Sequence, residues 1–331
     1  MPILRGFDAI AGIGSETTSA PNTEVAVTQK LRIISESWNP LYNPIEQEAL
    51  VGSAGMARSE QGILTVGGQL VTDWTYTTGA DLLLSKFFGL FTAQTSVADG
   101  FYTFLDNLDD ITFTYSIHKL VSTWTYTGGK FGQLQIAGAP GQPMRLTQDG
   151  FGMGFSLAST TNTTAVLDAL SEPDARLLFH HLCDAFLIGD QADSLTSDDN
   201  WKINNFQLTL NRNHTQFHTQ CQNPEQSREN GFFSAQLQVT LPLYEDNQFR
   251  TWHASHTPLQ MQATWTKAGT SNTRKRLRLP MGFVTDAPVP VNGPGLIPRT
   301  VNISFYHDLA GDNDTTEFNF SEVCRLYQNA T

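Results

Sequence analysis

Short runs in which apolar and polar residues alternate place the strongest limit on how this chain can fold. The clearest are ILTVGGQLVTDWTY (63–76), ITFTYSIHKL (111–120), FFSAQLQVTLPLY (232–244) and LQMQATWTK (259–267). Successive side chains of a strand point to opposite faces, so a period of two predicts strands with one buried and one exposed face. Only 16% of the residues are charged, and Thr, Gln, Asn, Ser and Gly take their place, as is typical of strands and turns. The chain is therefore predicted to be mainly β.

Two segments depart from this period. In ADLLLSKFFGLF (80–91) the apolar residues recur at spacings of three and four, which predicts a short amphipathic helix with Asp81 as its N-cap. PDARLLFHHLCDAFLIG (173–189) is apolar without a clear period, so a helix and a buried strand both stay open. No run of about 18 apolar residues occurs, and 1–16 lacks the pattern of a signal peptide, so we expect neither a membrane span nor secretion.

The order of these elements is repeated in the second half of the chain. KLRIISES (30–37) and NFQLTLNRN (205–213) each precede a polar excursion, a long alternating run and a short helical segment. Further on, TRKRLRLPMG (273–282) parallels GKFGQLQIAG (129–138). Identities are few, but the order holds, and we interpret it as an internal duplication.

The duplication predicts two tandem β modules, each with a short flanking helix. The predicted boundaries are an N-terminal arm (1–28), module 1 (29–158), a linker with a possible helix (159–200), module 2 (201–310) and a C-terminal tail (311–331).

Charge and cysteine content limit the partners. The formal net charge is −12, shared equally by the two halves, and it opposes binding to the phosphates of nucleic acids. Cys183, Cys221 and Cys324 are odd in number and form no C-x-x-C pair, so we expect neither a disulfide framework nor a zinc site, and a reducing compartment.

Residue patterns of catalysis are missing from the sequence. There is no G-x-S-x-G elbow and no phosphate-binding loop, and GFGMG (150–154) is not a dinucleotide fingerprint. His214, His218 and Cys221 could hold zinc on a helix, but on a strand the two histidines would lie roughly 13 Å apart. We therefore predict no catalytic, cofactor or metal site, and no enzyme.

The basic run TRKRLRLPM (273–281) places Arg274, Lys275, Arg276 and Arg278 within five residues. Leucines alternate with the arginines, which predicts a strand with one apolar and one cationic face. A solvated face and a nucleic-acid patch remain alternatives. In an acidic chain we favour a carboxylate-bearing surface of a neighbouring subunit, and expect reversal of Arg276 and Arg278 to Glu to impair assembly.

Three stretches resemble the tail tube proteins of long-tailed bacteriophages. GIGSETTSAPNTEVAVTQKLRIISES (12–37) resembles the arm and first strand of such proteins, and GILTVGGQLVTDWTY (62–76) followed by DLLLSKFFG (81–89) resembles the strand and short helix of the tube module. KRLRLPMGFV (275–284) with GPGLIPRTVNISF (293–305) resembles its closing strands. The segments 173–189 and 311–331 depart from the family pattern.

This resemblance implies a structural virion protein of tail-tube-like β-barrel or sandwich modules. Six modules close a ring through an inner β-barrel, so two modules per chain imply three chains with pseudo-sixfold symmetry. The polar excursions 39–62 and 214–231 resemble loops that bridge stacked rings. The expected partners are further copies of the chain and the terminator, tape measure and baseplate proteins, with DNA passing through the lumen without specific binding. The expected location is the phage tail, assembled in the host cytoplasm, with no membrane partner.

Two other functions stay open at this point. One is another tail ring component, such as a terminator or baseplate protein built from the same module. The other is a carbohydrate-binding β-sandwich, which would need an exposed aromatic platform among Trp38, Trp124, Trp201 and Trp265.

Overall fold

The computed structural model of the chain describes most of its residues. The described ranges are 9–17, 20–46, 59–76, 79–93, 99–104, 111–171, 176–219, 224–225, 228–243, 246–266, 274–289, 297–306 and 325–329.

Strands dominate the described residues, and the prediction of a mainly β chain is confirmed. The strands are β1 (Ile10–Ser15), β2 (Gln29–Leu31), β3 (Ile33–Glu36), β4 (Asn39–Glu46), β5 (Ser59–Asp73), β6 (Gly89–Ala93), β7 (Asp99–Phe104), β8 (Phe113–His118), β9 (Thr123–Gly138), β10 (Arg145–Gly152), β11 (Gly154–Ser156), β12 (Cys183–Asp190), β13 (Asn205–Asn211), β14 (His214–Thr215), β15 (Arg228–Glu229), β16 (Ser234–Leu241), β17 (Leu259–Thr266), β18 (Arg274–Asp286), β19 (Arg299–Phe305) and β20 (Arg325–Asn329). The helices are α1 (Gly79–Phe88), α2 (Thr164–Asp168) and α3 (Gln248–Ser255), with 3-10 turns at His180–Leu182 and Ser197–Asp199.

Both halves of the chain arrange their strands in one order. In the first half, neighbouring strands pair antiparallel in the order β1, β8, β9, β10, β5 and β3. In the second half the order is β12, β17, β18, β19, β16 and β13. The helices α1 and α3 follow β5 and β16, so they occupy matching places in the two sequences of elements.

The long strand β9 connects the two halves into one large antiparallel sheet. Its first part pairs with β8, and its last part pairs with β13, where Gly138 lies opposite Phe206. The strand bends at Gly128, whose φ of 63° is in the left-handed region that glycine tolerates best. Behind the sheet lies one hydrophobic core, in which Trp74 and Trp265 meet with ring centroids 5.8 Å apart.

The apolar middle segment contains a strand, not a helix. Residues 183–190 form β12, which pairs with β17 and buries Phe186 and Ile188. The short helix α2 lies earlier in the predicted linker and buries Leu167. The apolar run has no period because most of its side chains are covered on both faces.

The prediction that the N-terminal segment is an arm outside the core is wrong for residues 10–28. Strand β1 is part of the sheet, with Ala11 and Ile13 buried. Glu16, which is 5% exposed, accepts hydrogen bonds from the Thr112 hydroxyl at 2.8 Å, the Thr114 hydroxyl at 2.9 Å and the Gly128 amide at 2.8 Å. The sequence did not indicate that this stretch belongs to the sheet, because hydrogen bonds of polar residues hold it in place as well as apolar packing.

Two further details differ from the sequence predictions. Helix α1 begins at Gly79, so Asp81 lies in its first turn and is not the N-cap. The excursion 39–62 is not an irregular loop over its described part, because β4 pairs with β5 from Asn39 opposite Gly67 to Glu46 opposite Ser59. Among the described helices, none is long and apolar enough to cross a membrane.

Candidate assembly surfaces

Strands β3 and β18 each have an edge without a neighbouring strand within the described part of the chain. Strand β3 pairs with β5 on one side only, and Ile34 on it is 44% exposed. On β18, the pairing with β17 stops at Gly282, and residues 283–286 pair with β19 alone. Such edges present N–H and C=O groups that can pair with another chain.

One face of the sheet is polar and almost uncharged. Residues directly opposite each other share a face, and Thr147, Gln135, Thr209, Gln236 and Ser304 follow one another across five strands in this way. Next to them lie Gln133, Gln207, Gln238 and Asn302 on the same face. The opposite face carries Leu146, Ile136, Leu208, Leu237 and Ile303, each at most 1% exposed.

The charged residues described on this polar face lie on β5 and β10 at one side and on β18 at the other. Asp73, Arg145 and Asp149 lie on β5 and β10, and Asp286 lies on β18. Burial raises the pKa of Asp73, and the nearby Arg145 and Arg32 oppose that rise. Amides also bond across strands, since Gln238 Nε2 donates to Asn302 Oδ1 at 3.1 Å.

The basic run forms a strand, as the alternation predicted, but its cations do not share one surface. Lys275 lies on the core side with Leu277 and Leu279, and all three are fully buried. Arg276 is half-buried and Arg278 is 8% exposed, both on the other face. The side chain of Arg274 lies outside the described part. This half of β18 is paired on both edges, by β17 and by β20.

Lys275 makes an ion pair inside the chain. Its Nζ lies 2.5 Å from Oδ1 of Asp81 in the first turn of α1, and Asp81 is 7% exposed. Burial lowers the pKa of Lys275, and the Asp81 carboxylate opposes that shift. The pair joins the helix of the first half to a strand of the second, which the sequence could not indicate because the two residues are 194 positions apart.

The other end of α1 is also held by the second half. Arg212, 1% exposed, donates from Nε to the Phe87 carbonyl at 2.7 Å and from Nη2 to the Phe88 carbonyl at 2.9 Å. The last carbonyls of a helix lack intrahelical partners and carry partial negative charge, so a guanidinium stabilises them. Arg212 was not among the predicted contact residues, although its place directly after the alternating run 205–211 was a signal in the sequence.

A buried histidine lies beside the β9–β13 junction. His180 is 6% exposed, its Nε2 is 3.1 Å from the Ile203 carbonyl, and its ring packs on Phe206 with centroids 5.5 Å apart. Burial lowers the pKa of His180, the bond to the Ile203 carbonyl opposes this, and His181 adds to it.

Acidification should weaken the fold at this junction. In the unfolded chain a histidine gains its proton below about pH 6.5, whereas the folded chain keeps His180 neutral to lower pH. The unfolded state therefore binds more protons, and the stability is complete above about pH 6.5 and declines as the pH falls. We expect the free energy of unfolding, measured with urea, to fall less between pH 7.5 and 5.0 in His180→Gln than in the unmodified chain. An equal fall in both proteins would show that other groups cause the pH dependence.

Strands β4 and β5 form a hairpin that exposes large apolar side chains. Leu41 is 55% exposed, Tyr42 45%, Ile45 61% and Ile63 41%. Apolar groups clustered on an exposed element mark a contact surface. Of the second excursion, β14 and β15 pair as a short hairpin, and the residues at 220–223 and 226–227 lie outside the described part.

The remaining candidate residues do not converge on a chemical site. In the described part of the chain no group of three His, Cys, Asp or Glu side chains could hold a metal ion. Cys221, Cys324 and the pair Asp109–Asp110 lie outside that part.

The four candidate tryptophans do not lie together on one exposed surface. Trp38 and Trp265 are buried in the core. Trp124 packs on Phe155, and Trp201 packs on Phe249. The carbohydrate-binding alternative therefore lacks the aromatic surface that it required.

Open strand edges, a polar sheet face and an apolar hairpin are features of a structural protein that assembles through its own strands. The family model described as phage tail tube protein matches residues 6–306. The chain therefore belongs to the phage tail tube protein family, as the resemblance implied. No match was found among curated proteins. The chain is accordingly a structural, non-enzymatic component of the virion tail that assembles as a homo-oligomer.

Proposed function

We propose that each chain consists of two copies of one module and that three chains close head to tail into a ring with pseudo-sixfold symmetry. The repeated order of strand neighbours in the two halves supports the duplication. The pairings shift one predicted correspondence, however. Residues 274–282 of β18 pair with β17 as residues 123–129 of β9 pair with β8, so the basic run matches 123–129 and not 129–138.

The observation that carries this proposal is the junction between β9 and β13. There, the last part of β9 pairs antiparallel with β13 of the second half, from Gly138 opposite Phe206 to Gln133 opposite Asn211. In the repeated order, β18 matches β9 and β3 matches β13. The open edges of β18 and β3 are thus the two sides of the same junction, one on each protomer. Pairing them covers both of these edges and continues the sheet from one protomer to the next.

We further propose that the polar face of the sheet lines the lumen through which DNA passes. Its amides and hydroxyls present no row of cations to bind phosphates, so DNA can slide without specific binding. Within the described part, the acidic residues on this face are Asp73, Asp149 and Asp286. The apolar β4–β5 hairpin then contacts the adjacent ring, and terminator, tape measure and baseplate proteins bind at the tube ends.

Electron cryo-microscopy of the purified, assembled protein tests these points together. We expect long tubes of stacked rings, three chains per ring, and Gln207 and Gln238 facing the lumen. Single rings that never stack would favour a terminator or baseplate component. Six chains per ring, or an apolar lumen, would contradict the proposal.

Of the four cations on β18, we propose Arg276 as a subunit contact, because its side chain is half-buried on the face opposite the core, whereas Lys275 and Arg278 are buried. Arg276→Glu should lower the yield of tubes about tenfold, as expected for like charges meeting across an interface at a cost of about 1.4 kcal/mol. Tubes are counted by negative-stain microscopy, and the thermal unfolding midpoint checks the fold. Arg276→Lys, which keeps the charge, is the matched control. A normal yield of tubes from Arg276→Glu would show that Arg276 lies on a solvated face and makes no subunit contact.

A further inference from the structure

The helices α1 and α3 occupy matching places, but they are covered unequally. In α1 seven of ten residues are buried, and the helix packs against β1, β2, β6, β7 and β9. In α3 only Phe249 and Trp252 are buried, and its extensive described contact is with β18. The first helix therefore lies inside the protomer, and the second lies at its surface.

Part of the cover on α1 comes from the hairpin of β17 and β18. Lys275 is the second residue of β18 after this hairpin's turn, and its amine reaches the first turn of α1. The matching hairpin of the first half consists of β8 and β9, with its turn at 119–122. In the same chain, Lys119 of this turn contacts Glu36, the Trp38 carbonyl and the Trp124 ring.

The β8–β9 turn is ordered and presents an apolar tip. The Lys119 amide donates to the Ser122 carbonyl at 3.0 Å, and Leu120 has a φ of 70°. Lys119 is fixed by Glu36 at 2.6 Å and by the Trp124 ring, 4.2 Å from its Nζ. Val121 is left 80% exposed at the tip. A rigid tip loses little conformational entropy on binding.

Beside the start of α3 lies an open cleft of about 610 Å³. Its apolar part includes Trp201, Trp252 and Leu243, and Trp201 is oriented by a hydrogen bond from Nε1 to the Ile188 carbonyl at 2.9 Å. Three carboxylates, Asp198, Asp199 and Asp246, line the cleft together with the cations Lys202 and Arg299. The lining thus combines aromatic walls with a small excess of negative charge, which suits an aliphatic tip that carries one lysine.

We propose that the turn 119–122 of one protomer seats in the α3 cleft of the next, with Val121 against the tryptophans and Lys119 near the carboxylates. The contact reproduces between chains the arrangement that Lys275 and α1 make within one chain. It rests on the proposed head-to-tail ring, because only that arrangement brings the first module of one chain beside the second module of another.

A disulfide test locates the contact. Val121→Cys combined with Thr251→Cys places thiols on the tip and on the exposed cleft wall of α3. After mild oxidation of assembled tubes, we expect cross-linked dimers and trimers on non-reducing denaturing gels, at least fivefold above the level of each single variant. Gln142→Cys with Thr251→Cys is the matched control, because Gln142 is exposed on the β9–β10 turn. The single variants also report any background from the native cysteines.

The outcomes separate this contact from the ring itself. Tubes that assemble from the double variant without cross-links above the control overturn the contact and leave the ring intact. Failure of the unmodified chain to form rings overturns the proposed function. If only the double variant fails to assemble, the contact is tested on tubes of the unmodified chain, in which carbodiimide joins lysines to neighbouring carboxylates. Lys119 joined to Asp198 or Asp246 of another protomer supports the contact, whereas Lys119 joined only to Glu36 of its own chain, or to no carboxylate, overturns it.

Discussion

Lys275→Met should lower the free energy of unfolding by about 3–5 kcal/mol, the usual cost of removing one member of a buried ion pair. The change leaves the Asp81 carboxylate 7% exposed without the amine that lies 2.5 Å from it. Because Asp81 is in the first turn of α1, the loss also loosens the contact between the two halves of the chain. Chemical denaturation at pH 7 measures the effect.

Two further variants make this prediction specific. Arg276→Met, one residue away on the other face, should cost clearly less than Lys275→Met, because a half-buried cation is still partly solvated in the folded chain. Lys275→Met combined with Asp81→Leu should regain most of the loss, because no buried charge remains. Equal losses in Lys275→Met and Arg276→Met would show that the pair contributes nothing particular.

Ile34→Pro should abolish tube formation and leave the protomer folded. Ile34 lies on β3 at a bulge between Ile33 and Ser35, so it has no partner of its own in the register with β5. Proline is tolerated at bulges and edges, yet it lacks the N–H group, and its ring obstructs an approaching strand. The proposed junction with β18 of the next protomer would therefore be lost.

The complementary edge offers the mirror-image experiment. Thr285 lies at a bulge between Val284 and Asp286 on β18, so Thr285→Pro should block the other side of the junction. Each proline variant alone should stay monomeric in sedimentation velocity. Mixed together, they retain one intact edge of each kind and should form dimers but no closed ring. Ile34→Ala is the control that keeps the N–H group, and tubes from Ile34→Pro at the normal yield would rule out this edge as a contact.

The alternation in the sequence was enough to predict most strands, and it already contained the polar face. In NFQLTLN and SAQLQVTL, glutamine and threonine occupy every second position and apolar residues the others. This pattern fixes which side chains share a face, because successive residues of a strand always point to opposite sides. The family resemblance likewise rested on the order of such runs, and the family model confirms it over 6–306.

The sequence was a poor guide wherever burial came from distant parts of the chain. The segment 183–190 gave no period because four successive residues, 186–189, are buried, so side chains on both faces of the strand are covered. Residues 10–28 looked like an arm because polar groups such as Glu16 hold them in place. Lys275 was grouped with its neighbouring arginines because charge alone does not reveal that Asp81 lies across the core.

The sequence by itself thus determined the class of fold, the order of its elements and the family, since these depend on local periodicity and composition. Only the tertiary structure decided that β9 continues into β13, that Lys275 and Arg212 hold both ends of α1, and that α3 is left open at the surface. The physical reason is that strand pairing and buried ion pairs join residues far apart in the chain, and their free energy depends on contacts that no local pattern records.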